Sequence, residues 1–146
     1  MSNVAKGVNL ELVFPLEFLV PGTAVSLQAK RRESVDRWKS RIRDASREVL
    51  PEGHFATEGP VSMTLFYFPA SEMTGDIDNI VKPILDALCQ HIYMDDDQVE
   101  RVLVQKFEPG KIFQFNSPSS TLEGALAAEK PLLYVRLSDN PFEELQ

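Results

Sequence analysis

Asp76-Ile77-Asp78-Asn79-Ile80-Val81-Lys82-Pro83-Ile84-Leu85-Asp86-Ala87-Leu88, followed by Ile92-Tyr93-Met94-Asp95-Asp96-Asp97, reads as an amphipathic helix with acids at both ends. Ile80, Ile84, Leu85, Leu88 and Ile92 recur at helical spacing and form its apolar face. Pro83 is tolerated only in a first turn, which predicts a cap at Asp78 or Asn79. On either side the pattern shortens to a strand's alternation. Upstream, Val61, Met63, Leu65 and Tyr67 alternate with Ser62, Thr64, Phe66 and Phe68, a strand buried on one face and partly covered on the other. Downstream, residues 98–107 read as a strand with Val99, Leu103 and Phe107 opposite Val102 and Val104.

Further out, residues 8–14 and 17–20 read as strands separated by Pro15, and Pro21-Gly22 marks a turn. Val35, Trp38, Ile42, Ala45 and Val49 form the apolar stripe of a helix over 35–50, with Ser34 as its expected cap and Pro51 beyond its end. Glu108-Pro109-Gly110 predicts a turn into a hairpin partner over 111–115. Ser120 and Glu123 fit a capping box for a short helix through Glu129. Residues 132–137 read as a last strand and 138–146 as a mobile polar tail. The expected fold is one small α/β (mixed α+β) domain spanning 1–146, a mixed sheet packed by two main helices.

The 146 residues are enough for one domain with a core. No apolar run approaches the ~20 residues of a membrane span, and no signal peptide is visible, so a cytoplasmic location without membrane association is expected. The single cysteine, Cys89, excludes an internal disulfide and any multi-cysteine zinc site, and is expected to be buried. His54 and His91 are expected to be exposed. The net charge of −7 argues against tight nucleic-acid binding. Yet Lys30, Arg31, Arg32, Arg37, Lys39, Arg41, Arg43 and Arg47 put 8 of the 15 basic residues in one window. Lys39, Arg43 and Arg47 are four apart and share a helix face. That face reads either as a solvated surface or as a phosphate-contacting ridge.

Asp76 and Asp78, two apart in an extended segment, point the same way. They can share one metal ion or hold one each of a pair. Within Asp95-Asp96-Asp97, Asp96 foremost can complete the cluster. Repelling carboxylates are brought together around a cation, and hard cations such as magnesium take oxygen ligands. Such an ion activates water for attack on a phosphodiester. Lys82 lies four residues after Asp78, where its ammonium can neutralise a phosphate or pair with Asp86. The acids lack the glycine-turned spacing of an EF-hand.

The run Asp76-x-Asp78-Asn79-x-x-Lys82-Pro83-x-x-Asp86-Ala87-Leu88, with Asp95-Asp96-x-Gln98-Val99 after it, resembles the RusA family of Holliday-junction resolvases. Pro21-Gly22 with Ser26 nearby, and a helix bearing Trp38-Lys39, agree. The resemblance covers roughly residues 10–107. It implies a small mixed α/β homodimer that cuts four-way junctions or other branched DNA with magnesium, for which manganese substitutes. It leaves a 5′-phosphate and a 3′-hydroxyl. By position Asp76, Asp78 and Asp96 match the family's catalytic metal-binding acids, and Lys82 its essential lysine. Lys30, Arg31, Arg32, Lys39, Arg43 and Arg47 are the expected DNA-binding residues. A DNA-structure or partner-binding module with weak catalysis is the competing expectation, favoured by the acidic surface.

Overall fold

The structure is a computed structural model and describes residues 10–26 and 31–143. Its sheet has four strands in the order β1-β4-β2-β3: β1 Leu16–Pro21, β2 Val61–Phe68, β3 Val99–Lys106 and β4 Leu132–Ser138. Strand β4 runs antiparallel to both β1 and β2, while β3 lies parallel to β2 at the edge, so the sheet is mixed. The helices are α1 Arg32–Ser46, α2 Val81–Leu88 and α3 Ser120–Ala127. The expected mixed α+β fold is therefore the observed one.

Alternation explains both faces of the sheet. In register, Leu16, Phe18 and Val20 of β1 meet Leu137, Val135 and Leu133 of β4, which in turn meet Met63, Leu65 and Tyr67 of β2. This face is closed by Trp38 and Ile42 of α1 and by Ile84, Ala87 and Leu88 of α2, all in the main core. The opposite face carries Phe66, Phe68 and Tyr134 and is covered by Leu122 and Ala125 of α3 and by Phe107 and Phe115.

Several expected boundaries move. Of the strand expected over 8–14, residues 8 and 9 lie outside the described residues, and 10–14 form no strand. Leu12 and Phe14 instead lay their side chains against the core, and Leu10 O accepts a single hydrogen bond from Phe55 N–H at 3.0 Å. Helix α1 starts before Ser34, which is inside it; the cap position is Arg31, with no side-chain bond. It ends in a 3-10 turn over Arg47–Val49. The capping serine of α3 is Ser119, not Ser120: its Oγ accepts from Leu122 N–H at 3.1 Å and donates to Glu17 Oε2 at 2.5 Å. That helix stops at Ala127, where Lys130 Nζ donates to the carbonyls of Ala125 and Ala128.

Residues 111–115 are not a hairpin strand. Phe113 and Phe115 meet Phe107 in tilted contacts at centroid distances of 4.7 and 5.3 Å, so aromatic contact rather than backbone pairing places this segment. Ser138, expected to begin the tail, is the buried last residue of β4, and Glu143 accepts from Arg136 Nη1 at 2.5 Å. No helix among the described residues is long and apolar enough to cross a membrane.

Candidate active site

Residues 69–98 connect β2 to β3, and the turns within 76–98 place the acids. The chain enters as a 3-10 turn, Ile77–Ile80, with Asp76 extended at its cap position and Asn79 N–H donating to Asp76 O at 3.2 Å. The expected side-chain cap at Asp78 or Asn79 is not formed: Ile80 holds the cap position of α2 and Asp76 that of the 3-10 turn, neither with a side-chain bond. Buried Ile80 anchors the turn, and α2 follows with Pro83 in its first turn as anticipated. The helix was expected to reach Ile92 but ends at Leu88. Cys89 is extended, Gln90 adopts φ 60°, and Gln90 N–H donates to Tyr93 O at 2.6 Å. That tight turn buries Ile92 and Tyr93 completely.

Asp95-Asp96-Asp97 then folds back as the start of a 3-10 turn capped by Asp95. Gln98 fixes this turn. Its Oε1 accepts from Met94 N–H at 2.8 Å and Asp95 N–H at 2.9 Å, while its Nε2 donates to Thr57 O and Gly59 O, both at 2.8 Å. The outcome is a charge chain. Lys82 Nζ donates to Asp96 Oδ2 at 2.8 Å, lies 2.8 Å from Asp86 Oδ1, and Lys39 Nζ of α1 reaches Asp86 Oδ2 at 4.0 Å. The bonds to Asp86 and then Asp96 raise the pKa of Lys82, so its ammonium is firmly charged. The Cys89 thiol donates to Met94 O at 3.6 Å and is half-buried rather than buried. Burial first, and then the Asp96 and Asp95 carboxylates, push its pKa up.

Asp76 and Asp78 are exposed and make no side-chain hydrogen bond or ion pair among the described residues. No three His, Cys, Asp or Glu side chains among those residues stand close enough together to hold an ion as they are placed. One atom nevertheless asks for a cation: Asp96 Oδ1 is buried without a hydrogen-bond partner. The donors of Asp76, Asp78 and Asp96 are all carboxylate oxygens, the chemistry of magnesium or manganese sites. In donor chemistry the three acids suit such an ion, although as placed they are not gathered around one position, and Lys82 holds the second oxygen of Asp96.

The family profile for Endodeoxyribonuclease RusA matches residues 22–113. The chain belongs to the RusA family. The match takes in α1, β2, the whole acidic segment and β3, so the charge chain lies entirely inside the shared RusA region. A comparison with curated proteins finds no match.

The basic window of this RusA-family chain divides in two. Lys30 lies outside the described residues. Arg31, Arg32 and Arg37 are exposed at the start of α1. Lys39 and Arg43, expected on an exposed ridge with Arg47, are instead half-buried along the α1–α2 seam, where Arg43 Nη1 donates to Ala87 O at 3.4 Å. Arg47 stays exposed and is paired with Asp44. The two histidines are also not free surface groups. His91 Nε2–H donates to Ser46 Oγ at 2.8 Å, and Ser46 passes its own proton to Arg43 O at 2.6 Å. His54 Nε2–H donates to His91 O at 2.7 Å, and the rings meet edge to face at 5.1 Å. Burial, then His54, Arg47 and Arg43, push the His91 pKa down to about 4.

Sequence reading missed Gln98 as an organiser of the acids. Its signals were its place in the run Asp95-Asp96-x-Gln98-Val99 and its position directly after three aspartates and ahead of an apolar strand. The Lys39–Asp86 contact had no sequence signal, because it depends on how α1 lies against α2.

Proposed function

We propose that this protein is a magnesium-dependent endodeoxyribonuclease that cuts four-way junctions or other branched DNA, using Asp76, Asp78, Lys82 and Asp96. The observation that carries this reading is Lys82 held between Asp86 and the half-satisfied Asp96 inside the RusA-matched segment. Asp76, Asp78 and Asp96 would hold the ion, and manganese would substitute for it. When bound, magnesium activates water and offsets charge growing on the phosphate. Lys82 presents a fixed ammonium that donates to a phosphate oxygen as negative charge develops there. With Asp96 among the residues holding the ion, Asp86 would keep that ammonium oriented. Gln98 holds the Asp95–Asp97 turn still, so the carboxylate is aimed before substrate arrives. Lys30, Arg31, Arg32, Lys39, Arg43 and Arg47 would contact phosphates and position the duplex arms without reading sequence. A homodimer would set two such sites on two symmetry-related strands.

The test is cleavage of an end-labelled four-way junction beside linear duplex and single-stranded controls, with magnesium and with EDTA. Paired symmetric nicks that require metal and vanish in Asp78→Asn are the expected result. Metal-dependent cutting that Asp78→Asn leaves at full rate would remove the acids from the mechanism. A second reading has the separated acids and the net charge of −7 in its favour: a DNA-structure or partner-binding module with little catalysis. Absence of cutting on every substrate at low salt, with magnesium or manganese, would replace the nuclease by that module.

A further inference from the structure

We propose that the cleft between residues 23–26 and the loop 69–76 receives one unstacked nucleobase beside the phosphate that is cut. This rests on the nuclease reading above and names what its site takes besides the phosphate. The cleft measures about 390 Å³, within the roughly 300–1,000 Å³ of small-ligand sites. Asp76, the first acid of the motif, stands on its wall, so an occupant of the cleft is a neighbour of whatever Asp76 serves.

The lining selects the class of occupant. Pro69, Met73, Ile80 and Pro131 supply apolar walls, and Tyr67 adds a hydroxyl. No Lys or Arg lines the cleft among the described residues, while Asp76 and Glu72 do. Among the described residues the cleft itself offers a phosphate two carboxylates and no cationic side chain, which disfavours a backbone phosphate within it. A neutral, flat, hydrogen-bonding ring meets what it needs: apolar faces above and below and a polar group at its edge. Tyr67 provides that group. It is 3% exposed, and its oxygen accepts from Ala24 N–H at 3.0 Å, which leaves its own O–H proton to donate to a ligand. Burial raises its pKa, so the proton stays on. Met73 brings a polarizable thioether suited to an aromatic ring.

The cleft is also held open from outside. Met73 N–H donates to Glu108 Oε2 at 2.8 Å, and Lys106 Nζ holds the same oxygen at 3.3 Å. The loop is thereby tied to the end of β3, the strand whose other end begins just after Asp96-Asp97-Gln98. Branch points supply bases whose stacking is already weakened, for which the cost of leaving the helix is lowest.

The test places 2-aminopurine singly at each position flanking the cut in a four-way junction. Protein is added to saturation in EDTA, so no cleavage is required. One position is expected to brighten severalfold with wild type. Ala70→Trp, which builds a ring into the cleft from an exposed position, is expected to abolish that rise. Tyr67→Phe keeps the shape and removes the donor. It is expected to lower the ratio of cutting at the preferred over the next position by fivefold or more. A saturated, cleavage-competent wild type with no responding position overturns the cleft proposal and leaves the nuclease standing. A rise that persists in folded Ala70→Trp, or an unchanged cutting ratio in Tyr67→Phe, also overturns it. Wild type that binds no DNA overturns both readings.

Discussion

Lys82 is an internal cation among acids. It contacts Asp86 and Asp96 at 2.8 Å each, and its side chain is 47% exposed. An ion pair so open to water contributes no more than ~1 kcal/mol to stability, so its value lies in what it does to the carboxylates. Lys82→Ala is expected to keep its unfolding free energy within ~1 kcal/mol of wild type and to lose most cleavage activity. It is also expected to bind magnesium more tightly, because Asp96 Oδ2 is freed for the ion. Calorimetric titration checks this, and an unchanged metal affinity would remove Asp96 from the ligand set. His91 gives a second prediction at the same scale. Its ring is neutral in both states above its ordinary value of 6.5, whereas between 6.5 and about 4 the unfolded chain takes up the proton and the folded one does not. Stability therefore falls as pH drops through that window and levels off below it. With screening of a partly exposed ring, the loss is roughly 1–2 kcal/mol. His91→Gln retains a donor toward Ser46 and is expected to flatten this slope in urea melts at pH 7, 5.5 and 4. A slope identical to wild type would assign the acid sensitivity to other groups.

The turn between β1 and α1 shows how one residue sets the relation of two elements. Gly22 has φ +126°, donates to Pro131 O at 3.1 Å, and follows Pro21, whose carbonyl accepts from Arg41 Nη1 at 3.5 Å. A Cβ at Gly22 would lie 2.2 Å from Arg41 Nη1, but that atom ends a flexible side chain and can swing away. The backbone angle cannot be relieved in that manner. Gly22→Ala is expected to cost about 1–3 kcal/mol in chemical unfolding, and adding Arg41→Ala should not restore it. Full restoration would locate the cost in the side-chain contact. Elements of this kind were readable to different depths. The Pro-Gly turn and strand β2 were legible because each rests on local rules, a breaker pair and an alternation that matches burial. The segment 111–115 was misread because Phe113 and Phe115 suit a strand or an aromatic cluster equally, and only the position of Phe107 decides. The acids and Lys82 were legible as residue types. Their present arrangement was not, since Gln98, Thr57 and Gly59 come from separate parts of the chain and meet only in the fold.

At the scale of the whole molecule, a net charge of −7 must coexist with a polyanionic substrate. The fold answers part of this by spending cations unequally. Lys39, Arg43 and Lys82 are engaged with α2 or the acids, and Arg47 with Asp44. Arg31, Arg32 and Arg37 each remain exposed, just before or within the first half of α1. If α1 contacts phosphates as proposed, these three are the cations that can be removed without disturbing packing. Each phosphate contact releases counterions and adds about 0.9 to the slope of log affinity against log salt. Arg31→Gln, Arg32→Gln and Arg37→Gln combined are expected to weaken junction binding at low salt and lower the slope by roughly 2–3. The melting temperature should change little, because exposed charges contribute little to stability. Measured by anisotropy on a labelled junction in EDTA, an unchanged slope would show that DNA approaches by another face, and the start of α1 would be a solvated surface. A lowered slope together with retained metal-dependent nicking at low salt would separate holding the arms from cutting them, with α1 serving the first and the segment from Asp76 to Gln98 the second.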